Sequence, residues 1–172
     1  MIDKRCLLFP LLMELLSAST PLAGYAAQKA NVSLPINMTV TNPQCQINNG
    51  TGLPENVQLP LITTSGALLG DNNVEVPILI NCLSNITKFD VTFTGGNNSK
   101  ITTSNNMVDL TLSWKKGGGA VTFGSPVELS KAPFLVSPKQ FDGSLLVRVS
   151  PRTGTIPAGS YTASLPVTFT YY

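Results

Sequence analysis

Residues 157–172 read PAGSYTASLPVTFTYY, and their parity decides the fold. From Tyr161 onward every second residue is apolar or aromatic: Tyr161, Ala163, Leu165, Val167, Phe169 and Tyr171. Thr162, Ser164, Pro166, Thr168 and Thr170 stand between them. Successive side chains of a strand point to opposite faces, so this alternation predicts a β-strand with one buried side. It is also the last strand of the sequence, which leaves open what covers its free edge.

The same signal recurs upstream, in short runs separated by Gly, Pro and Asn clusters. Val32, Leu34, Ile36, Met38 and Val40 share one parity. The run NVQLPLI alternates at Val57, Leu59 and Leu61, and VEVPILINC at Val74, Val76, Ile78, Ile80 and Cys82. Further runs carry Phe89, Val91 and Phe93, then Val108, Leu110, Leu112 and Trp114, then Leu145, Val147 and Val149. A glycine run at 117–119 leads into AVTFGSPVEL and reads as a hairpin tip. Regular short strands with turn residues between them predict an all-β sandwich of immunoglobulin-like type.

The chain of 172 residues is long enough for one ordinary domain. Its first part does not belong to that domain. Lys4 and Arg5 precede the apolar run CLLFPLLMELL, and small residues follow, the layout of a secretory signal peptide over 1–26. The cut falls after Ala26, with Ala27 the second choice; Glu14 interrupts the apolar run. That run is shorter than the roughly twenty apolar residues a bilayer needs, so no stable membrane insertion is expected. Removing the leader takes Cys6 with it and leaves Cys45 and Cys82, a pair that in a secreted chain reads as a structural disulfide.

Composition narrows the function. The chain has 11 Lys+Arg, 9 Asp+Glu and no His, a net charge of +2. So weak an excess, with no basic stripe, argues against nucleic acid as a partner. Without His there is no Ser-His or Cys-His catalytic arrangement and no histidine metal site. The acids are scattered, and the glycines at 117–119 lack the Lys-Ser/Thr of a phosphate loop. Neither an enzyme nor a cofactor is expected. Asn-x-Ser/Thr triplets begin at Asn31, Asn37, Asn49, Asn85 and Asn97, but in so Asn- and Thr-rich a chain such triplets arise by chance.

Both ends of the mature chain are strands of uncommon regularity. The N-terminal one contains Pro35, a residue tolerated mainly on edge strands. It is either the first core strand, continuous with CQIN, or an extension that leaves its own domain and needs a host elsewhere. The C-terminal strand offers the complement: an immunoglobulin-type sandwich normally closes with one more strand. A sheet edge left open is a template for a strand from another chain.

These ends resemble those of chaperone–usher pilus subunits, the type 1 and P-pilus-like fimbrial proteins of Gram-negative bacteria. The matching features are the leader, the alternating extension, a Cys soon after it, and VPILINC carrying the second Cys. Gly159, fourteenth residue from the C-terminus, and the penultimate Tyr171 match as well. The resemblance implies an incomplete immunoglobulin-like β-sandwich lacking its last strand, completed by a donor strand from a periplasmic chaperone or a neighbouring subunit. It implies a donor-strand extension over 27–44 and a pilin domain over 45–172. Val32, Leu34, Ile36, Met38 and Val40 would then enter a neighbour, while Gly159, Tyr161, Ala163, Leu165, Val167, Phe169 and Tyr171 line the acceptor groove and bind the chaperone. The implied partners are that chaperone, an outer-membrane usher and other pilus subunits, and the implied location is a fimbrium at the cell surface, reached through the periplasm.

The sequence departs from the family pattern at two places. Met38 stands seven residues before Cys45, where family extensions usually carry a glycine, which implies a roomier pocket or a shifted register. Pro166 removes a backbone donor from the terminal strand, facing either the donor strand or the inner sheet. The alternative function is a self-contained secreted β-sandwich that binds a carbohydrate or protein ligand, with Trp114 the single candidate for sugar stacking of its kind.

Overall fold

A computed structural model describes residues 29–38 and 44–172. The leader, its cleavage site and Val40 lie outside these residues. In chain order the strands are β1 (Lys29–Met38), β2 (Cys45–Ile47), β3 (Asn56–Gln58), β4 (Leu61–Thr63), β5 (Leu68–Leu69), β6 (Val74–Val76), β7 (Leu79–Cys82) and β8 (Phe89–Phe93). They continue as β9 (Lys100–Thr102), β10 (Val108–Trp114), β11 (Val127–Glu128), β12 (Leu135–Ser137), β13 (Gln140–Asp142), β14 (Leu145–Pro151), β15 (Gly159–Thr162) and β16 (Leu165–Tyr171).

The protein is an all-β sandwich, as the alternation predicts. One layer is an eight-stranded sheet in which β11, β8, β16, β1, β4 and β5 follow one another, with β15 and β3 also paired to β1. The opposite layer consists of β6–β14–β10–β9 and β12–β13–β7–β2. These two four-stranded pieces are joined along the chain, because β6 runs on into β7 and β13 into β14. Aromatic pairs span the layers: Phe89 meets Phe141 with ring centroids 5.5 Å apart, and Phe93 meets Trp114 at 5.5 Å. Trp114 also packs edge-on against Phe134 at 4.7 Å.

The breaks in the long strands are matched and mended. Pro77 separates β6 from β7, and Gly143 and Ser144 separate β13 from β14 directly opposite. The Ile78 N–H donates to Ser144 Oγ at 3.2 Å, and the Gly143 N–H donates to the Ile78 carbonyl at 2.9 Å. Asn48 closes the outer side, donating to the Pro77 carbonyl and accepting from the Leu79 N–H, each at 2.9 Å. These bonds satisfy the Pro77 carbonyl, both backbone groups of Ile78 and the N–H groups of Leu79 and Gly143, as burial requires. At Gly143 a Cβ would lie 2.8 Å from Cδ1 of the buried Leu129, which would have to shift to admit it.

Parity maps onto burial through most of the chain. Val76, Ile78, Ile80 and Cys82 are buried in one series across Pro77, as are Val108, Leu110, Leu112 and Trp114, and Leu145, Val147 and Val149. The run NVQLPLI is an exception. Val57 and Leu59 are buried as expected, but after Pro60 the phase changes and Ile62, not Leu61, enters the core. Proline breaks the pleat here, and β4 restarts one residue out of step. The glycine run forms a tight turn with Gly117 and Gly118 at φ 78° and 66°. The segment after it is less regular than its pattern: Ala120 and Phe123 make isolated bridges, and only Val127–Glu128 forms a strand.

Cys45 and Cys82 are bonded, as expected, from directly opposed positions on β2 and β7. The bond closes a sequence separation of 37 residues.

Candidate functional site

The site is the cleft that β1 occupies. On one side β1 runs parallel to the C-terminal strands, with Ala30 opposite Gly159, Val32 opposite Tyr161, Ile36 opposite Leu165 and Met38 opposite Val167. On the other side it runs antiparallel to β3 and β4, with Leu34 opposite Val57 and Ala30 opposite Ile62. The strand is central to its sheet, although Pro35 is a residue expected at an edge.

Alternation explains how Pro35 is accommodated. The Val32 carbonyl accepts from the Leu59 N–H at 3.2 Å, and the Ile36 N–H donates to the Glu55 carbonyl at 3.3 Å. Even-numbered residues of β1 therefore bond toward β3. Odd-numbered residues bond toward the C-terminal strands, as the Ser33 carbonyl does in accepting from the Ala163 N–H at 3.0 Å. Pro35 faces the same way, and its missing donor falls at the interruption between β15 and β16. The two defects coincide.

Pro166 is placed by the same logic. Its carbonyl accepts from the Thr94 N–H at 3.0 Å. The N–H and C=O of one strand residue point to the same side, so the donor that Pro166 lacks faces the end of β8 and not β1. There the ring meets Gly95, where a Cβ would lie 3.2 Å from Pro166 Cδ. The ladder toward β1 loses nothing.

The side chains of β1 form an apolar row. Val32 and Leu34 are fully buried and Ile36 nearly so, and all three join the main core. Facing them, Tyr161, Ala163, Leu165 and Val167 are buried. The Tyr161 hydroxyl donates to the Pro157 carbonyl and accepts from Asn105 Nδ2, the latter at 3.4 Å. Phe169 and Tyr171 are half-buried and turn to β8 instead. Their rings lie 5.8 and 5.7 Å from that of Phe89, with Tyr171 stacked at an interplanar angle of 10°. Gly159 is exposed, and no atom lies within 4 Å of where its Cβ would sit.

The second wall of the cleft consists of Val57, Leu59 and Ile62, which the reading of the two chain ends missed. Their alternation was visible, but nothing in it names the strand they flank. The cleft carries no ion pair: those among the described residues join Lys88 to Asp90, Lys115 to Glu75, Lys116 to Asp142, Lys131 to Glu128 and Arg152 to Asp109, all outside β1, β3, β4, β15 and β16. An apolar trough with backbone donors and acceptors along both rims is suited to one extended peptide, not to bond-making chemistry.

Among curated proteins, protein FanH of Escherichia coli is 32% identical to this chain over 156 residues, spanning 86% of the chain and 89% of FanH. The chain belongs to the FanH family. FanH is a fimbrial-type protein, which places the chain in a fimbrial subunit family. The aligned share of FanH reaches across nearly its whole length, so the kinship covers the sandwich and not one motif. No protein-family model matches the chain.

Proposed function

We propose that this FanH-family chain is a minor or adaptor-type structural subunit of a chaperone–usher fimbria, polymerising by donor-strand exchange and supporting cell adhesion. In this reading residues 27–44 are the donor extension and 45–172 the pilin domain, exported by a leader over 1–26. The observation that carries it is the cleft between β3/β4 and β15/β16, one strand wide and apolar along its floor. A periplasmic chaperone lends a strand to that cleft, and at the outer-membrane usher a neighbouring subunit's Val32, Leu34, Ile36, Met38 and Val40 replace it. Gly159 through Tyr171 form the C-terminal rim. Burying large aliphatic side chains, each worth roughly 1.5–3 kcal/mol gross, makes such a joint slow to part.

One observation favours the alternative of a self-contained sandwich: β1 closes the sheet within its own chain. Its carbohydrate form has little support, because Trp114 is buried beneath Phe93 and Phe134 and offers no face for stacking. Co-expression with the cognate chaperone separates the two. The expected product is a 1:1 complex, and deletion of 29–38 should leave that complex intact while abolishing insertion into a neighbouring subunit. A full-length chain that forms no chaperone complex and stays monomeric at every concentration overturns the fimbrial reading.

A further inference from the structure

The outer face of the layer opposite β1 carries a polar cleft of about 490 Å³, lined by Asn97, Asn98, Lys100, Thr102, Asp109 and Arg152. Small-molecule sites fall in the range of roughly 300–1,000 Å³. Lys100 and Thr102 stand opposite Thr111 and Asp109 across the β9–β10 ladder, and the Arg152 N–H donates to the Met107 carbonyl at 2.9 Å. The Arg152 guanidinium is held by Asp109 through Nε at 3.0 Å and Nη2 at 2.8 Å. Among the described residues its Nη1 has no hydrogen-bond partner, and Lys100 Nζ has no ion-pair partner.

The turn between β8 and β9 forms the other wall, and it is pinned. Asn97 and Lys100 exchange backbone N–H···O=C bonds, each 2.9 Å, around Asn98 and Ser99 at φ 47° and 60°. Two left-handed residues make a tight hairpin turn, and asparagine tolerates that conformation. Ser99 Oγ donates to the Val121 carbonyl at 2.6 Å, and the Ser99 carbonyl accepts from the Leu112 N–H at 2.9 Å. At Gly96 a Cβ would lie 2.7 Å from the Lys100 carbonyl oxygen, so the backbone itself bars a side chain there. Asn97 and Asn98 are exposed on this wall, and each amide offers donors and an acceptor.

The lining sets the ligand class. Lys100 and Arg152 against Asp109 leave a net charge of +1, which suits a single negative charge; a dianion would also meet the Asp109 carboxylate. Among the described residues no apolar side chain lines the cleft, so nothing there takes an acyl or aromatic group. We infer that this cleft binds an acidic sugar of the uronate class, its carboxylate taken by Arg152 Nη1 and Lys100 Nζ and its hydroxyls by the Asn97 and Asn98 amides. Trp114 has no part in this recognition, and the site stands whether or not the subunit polymerises.

Titrating the isotope-labelled mature chain with sodium D-glucuronate, followed by NMR, tests this. The amide resonances of Asn97, Asn98 and Lys100 and the Arg152 Nε–H should move and saturate. D-glucose, similar in size but neutral, should bind at least about tenfold more weakly at the same ionic strength. Lys100→Gln removes a charge that has no ion pair to lose, so the rest of the spectrum should stay unchanged while the preference for the acid falls about tenfold. Asn98→Gly keeps the left-handed turn and should weaken binding of both sugars. Methyl β-D-glucuronide, blocked at its anomeric carbon, separates two sources of this chemistry: binding equal to the free acid supports a glycan chain end as ligand, and its loss supports a free sugar. Sodium acetate that moves the same resonances as strongly, or inorganic phosphate that binds more tightly than glucuronate, overturns the assignment. So do glucuronate shifts that miss the cleft, or none at all.

Discussion

Asp109 is a buried carboxylate with both oxygens engaged. Oδ1 accepts from Arg152 at 2.8 Å and from the Thr102 hydroxyl at 3.1 Å, and Oδ2 accepts from Arg152 Nε at 3.0 Å. The Arg152 guanidinium beside it holds its carboxyl below the usual carboxylate range. Arg152→Ala leaves this acceptor buried and short of donors, at an expected cost of about 1–3 kcal/mol in urea unfolding near neutral pH. A lowered folded-state pKa contributes stability that is present above the unfolded value, about 4, and is lost as pH falls through the folded one. The gap between wild type and Arg152→Ala should therefore hold steady above about pH 5 and close at lower pH; a gap that widens on acidification would contradict the pairing. None of this was legible beforehand, since Asp109 and Arg152 lie 43 residues apart and belong to no motif. The prolines were half legible. A missing donor is certain from the residue name, but which neighbour misses it depends on register, which one strand's alternation cannot give.

At the scale of elements, the strands announced themselves and their hosts did not. The parity of β1 identified Val32, Leu34 and Ile36 as an apolar row, and all three are buried. Parity says which face is covered, never by which strand, so the flank of Val57, Leu59 and Ile62 stayed hidden. The misphased Leu61 has the same origin: Pro60 resets the pleat, and a pattern carried across it points to the wrong side. Because Leu34 is enclosed between the two flanks, Leu34→Ala should destabilise the monomer by about 2–5 kcal/mol, lowering the urea midpoint. Ser33→Ala, on the half-exposed face of the same strand, should shift it far less. Equal effects would mean that β1 does not occupy the cleft in solution.

For the whole molecule, the two-layer sandwich was readable because most buried positions keep strict alternation. The least regular stretch, between Gly119 and Leu129, holds only isolated bridges at Ala120 and Phe123 and the two-residue β11, an arrangement that alternation alone does not reveal. The disulfide between β2 and β7 ties the start of the body to the second layer. Replacing both Cys45 and Cys82 with Ser should cost on the order of 3–4 kcal/mol, measured as a lower urea midpoint. A final consequence follows from where β1 lies. Ladder hydrogen bonds stand across the strand, and β1 has them on both sides over most of its length. A pull along the strand axis therefore loads both rims in shear, many bonds at once, whereas a pull at right angles peels them one by one. Whatever molecule supplies the strand, the cleft is mechanically anisotropic: strong along its length, and easily opened from one end.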